Sequence, residues 1–423
     1  MRSKNSSFRV RFPMGLVFYA SLLSLVGVIN IASAARATQP NLFMYQMLWL
    51  LIAAGVAAVV TFVQTRTLGL LAYPFYAGVM TLLGAVLIFG VVAKGGQRWL
   101  DIGFMRLQPS ELAKIAVVLA TAKFCTDYEV YGGYRLRDLI RPFNFSRPLV
   151  VIAACLWAFK KFPAYHWFAV LGIVMALVWM AFSFQQIRRE GFHFYQIIAL
   201  GDVILVPFLL IAVEPDLATG MIVLAISGTM VLFCGMRTLS LLIAGVFVVG
   251  VALVGWNFFL KDYQKHRVHT FLDPDADIRG KGYQAMQSMI AIGSGQVLGK
   301  GFGEGTQTQL SFLPENHTDF VFSVLAEEWG FVGAFLVLAL FLGLVLSMVQ
   351  IASKAQDRFA SLLAVGAASV VFWHMMVNVG MVIGLLPVAG VPLPFVSYGG
   401  ASMLVQVAAL AICMNVSLWR KVR

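Results

Sequence analysis

Three apolar runs, Leu68 to Val92, Met221 to Leu232 and Phe331 to Val349, decide most of what this chain can become. In hydrocarbon each backbone N–H and C=O must be satisfied by the protein itself, which restricts a spanning segment to a helix or a strand of a closed barrel. None of the runs alternates with period two, so the barrel is excluded. Of 423 residues, 60% are hydrophobic and only 12% are charged, against about 25% charged in soluble domains. The expected fold class is all-α: a polytopic transmembrane helical bundle forming a single integral membrane domain over residues 1–423.

The basic residues orient the spans, because cytoplasmic ends carry the Lys/Arg excess. Arg2, Lys4, Arg9 and Arg11 precede the first span, and Arg420, Lys421 and Arg423 follow the last, which places both termini in the cytoplasm. About ten core spans are expected, near 13–34, 42–64, 68–92, 110–125, 195–213, 217–235, 239–260, 329–350, 358–385 and 401–418. Ala32-Ser33-Ala34 resembles a signal-peptidase site, but the apolar segment before it is longer than a secretory core of about 7 to 15 residues, and a retained first span is the better reading. Pro148 to Phe159 and Trp167 to Phe184 add an apolar hairpin within 145–194, giving twelve spans, with a re-entrant first arm as the alternative. A large extracytoplasmic loop covers 261–317.

The formal charge of +12 is largely the cytoplasmic excess of any such protein and implies no nucleic acid. More telling are basic residues on the unfavoured side: Lys94, Arg98, Arg106, Lys261, Lys265, Arg267, Arg279, Lys281 and Lys300. Guanidinium forks and ammonium groups there suit pyrophosphate oxygens, with the headgroups of anionic membrane lipids as the other reading. Ser110 is placed to cap the fourth span, with Glu111 and Lys114 at i and i+3 as either a helix-supporting pair or the wall of a polar pocket. Asp216, in Glu214-Pro-Asp, is either a helix cap or part of the same pocket. The glycines from Gly293 to Gly305 make no phosphate-binding motif and read equally as a close-packed or a re-entrant loop. The four cysteines lack metal-ligand spacing and read as packing residues.

The densest polar cluster is Phe312-Leu-Pro-Glu-Asn-His-Thr-Asp-Phe-Val-Phe322, just before an apolar run. Asn316 or Thr318 could cap a helix with Asp319 in its first turn, where the helix dipole keeps a carboxylate ionised. Asp319 is then either structural or a base.

Taken in order, Gln97-Arg-Trp-Leu100, Gln108-Pro-Ser-Glu-Leu-Ala-Lys114, Glu214-Pro-Asp-Leu-Ala-Thr219, Arg267-Val-His-Thr-Phe-Leu-Asp-Pro274, Gly282-Tyr-Gln284, Ile290 to Gly295, Phe312 to Phe322 and Pro392 to Gly400 resemble the SEDS (RodA/FtsW) family over almost the whole chain. Thr306 to Pro314 and Val324 to Glu328 look more like the RodA branch. Departures are Ala218 and Gln296 where glycines are usual, Asn316 where a basic residue is common, and the 145–194 insertion. The resemblance implies a peptidoglycan glycosyltransferase of the bacterial cytoplasmic (inner) membrane that polymerises lipid II outside the cytoplasm during cell elongation, releases undecaprenyl pyrophosphate, and works with a class B penicillin-binding protein. Asp319 falls on the family's essential aspartate and is the implied general base. Arg98, Lys114 and Arg267 are the implied pyrophosphate partners, helped by a divalent cation, Mg or Mn, whose ligands the sequence leaves unknown. Trp99 is a candidate to pack on a sugar face; Glu111, Asp216, His317 and Thr318 complete the expected substrate contacts. The rival readings are a flippase for the lipid-linked precursor and a non-catalytic scaffold.

Overall fold

Apolar windows form the helices the sequence expects, two of them with an internal proline at Pro74 and Pro207, and with boundaries close to those read from hydropathy. The structure, a computed structural model, describes residues 12–36, 39–93, 96–101, 103, 106–130, 132–139, 151–152, 155, 170–181, 198–246, 250, 265, 269–273, 281–310 and 312–419. Helices α1 (Met14–Ala34), α2 (Leu42–Phe62) and α3 (Thr65–Phe89) lead into three short antiparallel strands, β1 (Val91–Ala93), β2 (Gly96–Asp101) and β3 (Arg106–Leu107). Then come α4 (Pro109–Asp127), α5 (Val170–Ala181), α6 (Leu200–Val213) and α7 (Leu217–Phe233). After α8 (Lys281–Ser294) and the single turn α9 (Thr306–Gln309), the chain closes with α10 (Val321–Ser353), α11 (Arg358–Val382) and α12 (Gly400–Leu418). Among the described residues, α1, α2, α3, α10, α11 and α12 are long and apolar enough to cross a membrane. With the shorter apolar α5, α6 and α7, they make this a multi-pass membrane protein.

Helix α4 is the axis of the bundle. It is buried along nearly its whole length, and α3, α6, α7, α11 and α12 all pack on it. Small residues permit this, since helices in lipid associate by close van der Waals packing rather than by a hydrophobic drive. Ala113, Ala116, Ala120 and Ala122 are fully buried, and a Cβ added at Gly366 of α11 would come within 2.5 Å of Val118 Cγ1. At one end of the bundle Asn415 of α12 donates to the last carbonyls of α2, at 3.0 Å to Val60 and 3.1 Å to Thr61 as well as to Val63, and accepts from Thr65 Oγ1 at 3.0 Å. One buried amide thus satisfies the carbonyls that a helix end leaves orphaned.

The structure corrects four local expectations. The stretch between the expected spans 68–92 and 110–125 is a small sheet, with Val92 opposite Gln97 and Asp101 opposite Arg106. Helix α4 starts at Pro109, a residue suited to a first-turn position because it has no N–H to lose. Ser110 is therefore inside the helix rather than its cap. The third correction is that α10 begins at Val321 after an N-cap, Phe320, that makes no side-chain cap bond. Neither Asn316 nor Thr318 caps it, and Asp319 precedes the first turn. Fourth, the described residues of the 261–317 loop include the helices α8 and α9. Of the 145–194 hairpin only 151–152, 155 and 170–181 are described, and α5 supplies part of its second arm. Arg267, Lys94, Lys261 and Arg279 lie outside the described residues.

Helix α10 is interrupted at Gly330, whose φ of 65° and ψ of −163° break the helical path. The glycine-rich segment after α8 fills the gap: Lys300 N and Gly301 N donate at 3.0 Å to the carbonyls of Glu327 and Glu328, while Phe331 N and Val332 N donate to Gln296 and Val297 at 2.8 and 3.1 Å. Of the two readings left open for this segment, close packing is what the contacts support. A Cβ on Gly295 would sit 2.0 Å from the Ala326 carbonyl oxygen, and one on Gly330 would sit 2.3 Å from Gly299 N. Gly330→Ala should lower stability by about 2 kcal/mol, combining left-handed strain with overlap; a melting temperature of the detergent-solubilised variant equal to that of the parent would contradict the packing described.

Candidate functional site

Three groups of polar residues collect at the end of the bundle where α4 and α7 begin and α10 follows the Phe312–Phe320 segment. The first is built on the α6–α7 turn. Asp216 is the N-cap of α7, its Oδ1 accepting from Thr219 N at 3.4 Å. Its other oxygen accepts from Gln108 Nε2 at 3.2 Å, and Gln108 also donates to Ser110 Oγ at 3.1 Å. Arg98 on β2 crosses to the same turn, with Nε donating to the Glu214 carbonyl at 3.2 Å, a second nitrogen donating to the Pro215 carbonyl, and Nη1 3.7 Å from Asp216 Oδ1. Asp216 therefore caps α7 and, with its remaining contacts, meets Arg98 and Gln108 rather than the Glu111–Lys114 pair. Trp99, the next residue on β2, is half-buried opposite Val91.

Glu214 is only 1% exposed, and neither carboxylate oxygen has a hydrogen-bond partner. Burial, reinforced by the neighbouring Asp216 and opposed by Arg98, pushes its carboxyl up to about 8. It holds its proton at neutral pH.

The second group is the buried triad of Glu111, Lys114 and His374, which are 6%, 1% and 0% exposed. Lys114 Nζ lies 2.6 Å from Glu111 Oε1 and 2.7 Å from His374 Nε2. An ammonium only donates, so Nε2 is the acceptor and the imidazole proton sits on Nδ1, which donates to the Val370 carbonyl at 2.7 Å. The i, i+3 pair expected from sequence is present, but as part of a buried network spanning α4 and α11.

The third group is Asn316, His317, Thr318 and Asp319. The Glu315 carbonyl accepts from the backbone N–H of Thr318 and Asp319 at 3.2 and 3.1 Å, winding the segment into a tight turn. Thr318 Oγ1 donates to Glu315 Oε2 at 2.9 Å, and Asn316 Nδ2 donates to the Ala34 carbonyl at 3.2 Å. The turn is pinned from its other side by the 391–399 segment: Tyr398 N donates to the His317 carbonyl at 2.9 Å, and Ser397 Oγ donates to that of Thr318 at 2.5 Å. Asn378 of α11 donates to the Asp319 carbonyl at 2.8 Å and to that of Val391 at 2.7 Å. Apart from the bond between the Thr318 and Glu315 side chains, these bonds hold backbone. The Asp319 side chain is half-exposed, with Oδ2 3.2 Å from where a Cβ on Gly390 would lie, a residue whose φ is 73°.

The structure thus unites Arg98 with Asp216, and Glu111 with Lys114, and it places His317, Thr318 and Asp319 in one turn. His374 and Asn378 join the second group to the third, four residues apart on one face of α11. Sequence reasoning did not single out these two, nor Gln108. Among the described residues no three of His, Cys, Asp and Glu come together as a metal site. A divalent cation here would need substrate oxygens beside a single carboxylate, a coordination Mg²⁺ accepts.

A family profile for FtsW, RodA and SpoVE, described as cell cycle proteins, matches residues 11–181 and 168–422. The peptidoglycan glycosyltransferase MrdB of Escherichia coli K12 is 41% identical over 343 residues, covering 80% of this chain and 76% of that protein. The probable peptidoglycan glycosyltransferase FtsW of Geobacter sp. M18 is 30% identical over 415 residues, 96% of each chain. Among solved structures, a chain from work on the structural coordination of polymerization and crosslinking by a peptidoglycan synthase complex superimposes with a TM-score of 0.70 at 29% identity, covering 96% of this chain and 98% of that one. The rod shape determining protein RodA of Thermus thermophilus shares the fold at a TM-score of 0.63 and 24% identity, covering 98% and 99%.

The raised Glu214 carboxyl carries a signed prediction. A folded value near 8 against about 4.5 unfolded means that its stabilising contribution is complete below about pH 4.5 and is lost as pH rises through about 8. The melting temperature of Glu214→Gln relative to the parent should therefore climb between those limits and level off above them. A difference independent of pH would refute the assignment.

Proposed function

Since the chain belongs to the FtsW, RodA and SpoVE family of cell cycle proteins, we infer that its polar end polymerises glycan. It is a peptidoglycan glycosyltransferase acting in cell elongation. The substrate we assign is lipid II, and the partner is a class B penicillin-binding protein that crosslinks the product. Arg66, Arg237, Lys354 and Arg358 mark one end of the bundle as cytoplasmic by the positive-inside rule. The end bearing Asp319 then faces outward from the bacterial inner membrane, with both termini inside.

The observation that carries the mechanism is the division of labour in Asp319: its backbone is held from α11 and the 391–399 segment, while its carboxylate stays half-exposed. A general base needs this combination of fixed position and access to the proton it takes. Asp319 accepts the proton of the acceptor GlcNAc 4-hydroxyl as that oxygen forms its bond to the anomeric carbon of the donor MurNAc. The bond from that carbon to the pyrophosphate oxygen breaks on the opposite face, and undecaprenyl pyrophosphate leaves with the electron pair. A single displacement converts an α-linked donor into a β-1,4 glycan.

The leaving group gathers negative charge, and fixed positive groups in a low-dielectric setting stabilise it without reorganising. Lys114, buried and already paired, acts through its field. Arg98 carries a guanidinium at 24% side-chain exposure and is the group placed to meet pyrophosphate oxygens. Arg267 keeps the same assignment from its motif alone. Trp99 beside Arg98, and His317 and Thr318 beside Asp319, are assigned to the sugars. No step is routed through a metal ion.

Asp319→Asn, nearly the same size and shape as the parent side chain, should still fold and should lose at least about 10³-fold in polymerisation of lipid II. Near-normal polymer from purified Asp319→Asn would sink the assignment. Arg98→Lys keeps the charge but not the fork, and should raise KM for the pyrophosphate-linked donor several-fold; unchanged donor kinetics would return Arg98 to a purely structural part in the α6–α7 turn.

A further inference from the structure

The one face of α11 that meets the site is a ladder of polar groups spaced four residues apart. Val370 offers its carbonyl to His374 Nδ1, His374 Nε2 receives Lys114, Asn378 holds Asp319 and Val391 by their carbonyls, and the Val382 carbonyl accepts from Ser288 Oγ at 2.7 Å. We propose that His374 is a positioning residue for glycosyl transfer: it fixes the direction of the Lys114 ammonium, and through α11 it holds that cation in register with the Asp319 turn.

The argument is geometric. Lysine has four rotatable bonds and a strongly hydrated head, so a buried ammonium adopts one direction only if acceptors fix it. Glu111 is on the same helix as Lys114 and moves with it. His374 is on a different helix, and it alone of the two ties the ammonium to the element that also holds Asp319. The anchors at His374 and Asn378 are about 6 Å apart along the axis, four residues at 1.5 Å each. The imidazole is in turn locked as the Nδ1–H tautomer by the Val370 carbonyl, so its acceptor nitrogen cannot turn away. His374 and Asn378 are both completely buried, and polar residues in a span are costly unless they perform such a task. Electrostatic stabilisation of a leaving group depends on where the charge is held, and so the loss of His374 should fall on turnover rather than on donor binding.

This inference rests on the glycosyltransferase reading and on Lys114 as its fixed cation, and the test separates the two. Full-length protein with its penicillin-binding partner would be assayed for steady-state polymerisation of lipid II, as the parent and as His374→Leu, His374→Gln, His374→Asn and Lys114→Met. The glutamine oxygen can reach the position of Nε2 and accept from Lys114; the shorter asparagine cannot. The expected result is a kcat at least tenfold lower for His374→Leu and His374→Asn, with KM for lipid II within about threefold of the parent, and recovery to within about threefold for His374→Gln. Parent-like turnover in His374→Asn, or equal losses in the glutamine and asparagine variants, would overturn the proposal. If the leucine variant does not fold, the glutamine and asparagine pair still decides it. Full activity in Lys114→Met would instead remove the cation from the mechanism, whatever the histidine variants do.

Discussion

Everything at the polar end depends on a buried charge that has to be paired. An ammonium inside a bundle surrounded by lipid has no water to fall back on, and removing one member of a buried pair costs about 3–5 kcal/mol because the other is left uncompensated. Lys114 sits on α4, the helix on which α3, α6, α7, α11 and α12 all pack, so its partners bear on how neighbouring helices approach. Glu111 answers from one turn earlier, and His374 answers from α11. The second bond fixes the rotation of α11 about its own axis, and with it the direction in which Asn378 points. Through α11 the Asp319 turn is thus tied to a lysine on another helix.

The site is rigid in its backbone and sparing in its side chains. Buried amides and hydroxyls spend their hydrogen bonds on main-chain carbonyls: Asn378 on Asp319 and Val391, Ser397 on Thr318, Asn316 on Ala34. Irregular backbone at membrane depth survives only when protein satisfies it, and the 391–399 segment is satisfied in this way. The arrangement fixes the backbone that carries the functional carboxylate from α11 and from the 391–399 segment, while the residue itself stays half-exposed.

The fold was largely legible because hydrophobic run length is a strong signal in lipid. Helices such as 42–62 and 400–418 begin and end within two residues of the apolar segments that announced them. Local ends were read less well. Phe320 replaced the expected polar cap of α10, since the bonds that settle its N-terminal turn come from Glu315 and from residues far along the chain. Asp319 was found from a dense motif, whereas His374 and Asn378 stand singly in an apolar run and were passed over. Their i, i+4 spacing was a readable sign of one polar face; what they bind was not, because it depends on how α11 rotates against α4. The break at Gly330 was hidden for a similar reason: glycine is common in spans, and only the docking of 295–301 distinguishes this one.

That docking has a mechanical meaning. Of the four backbone bonds between 296–301 and 327–332, two fasten the glycine-rich segment to the short first part of α10 and two to the start of the long second part, so the segment bridges the break. The stretch carrying Phe320 to Trp329 therefore belongs to the same solid body as the segment after α8. A pull on that segment would reach both sides of the Gly330 break at once, and through the first part of α10 it would reach the Asp319 turn.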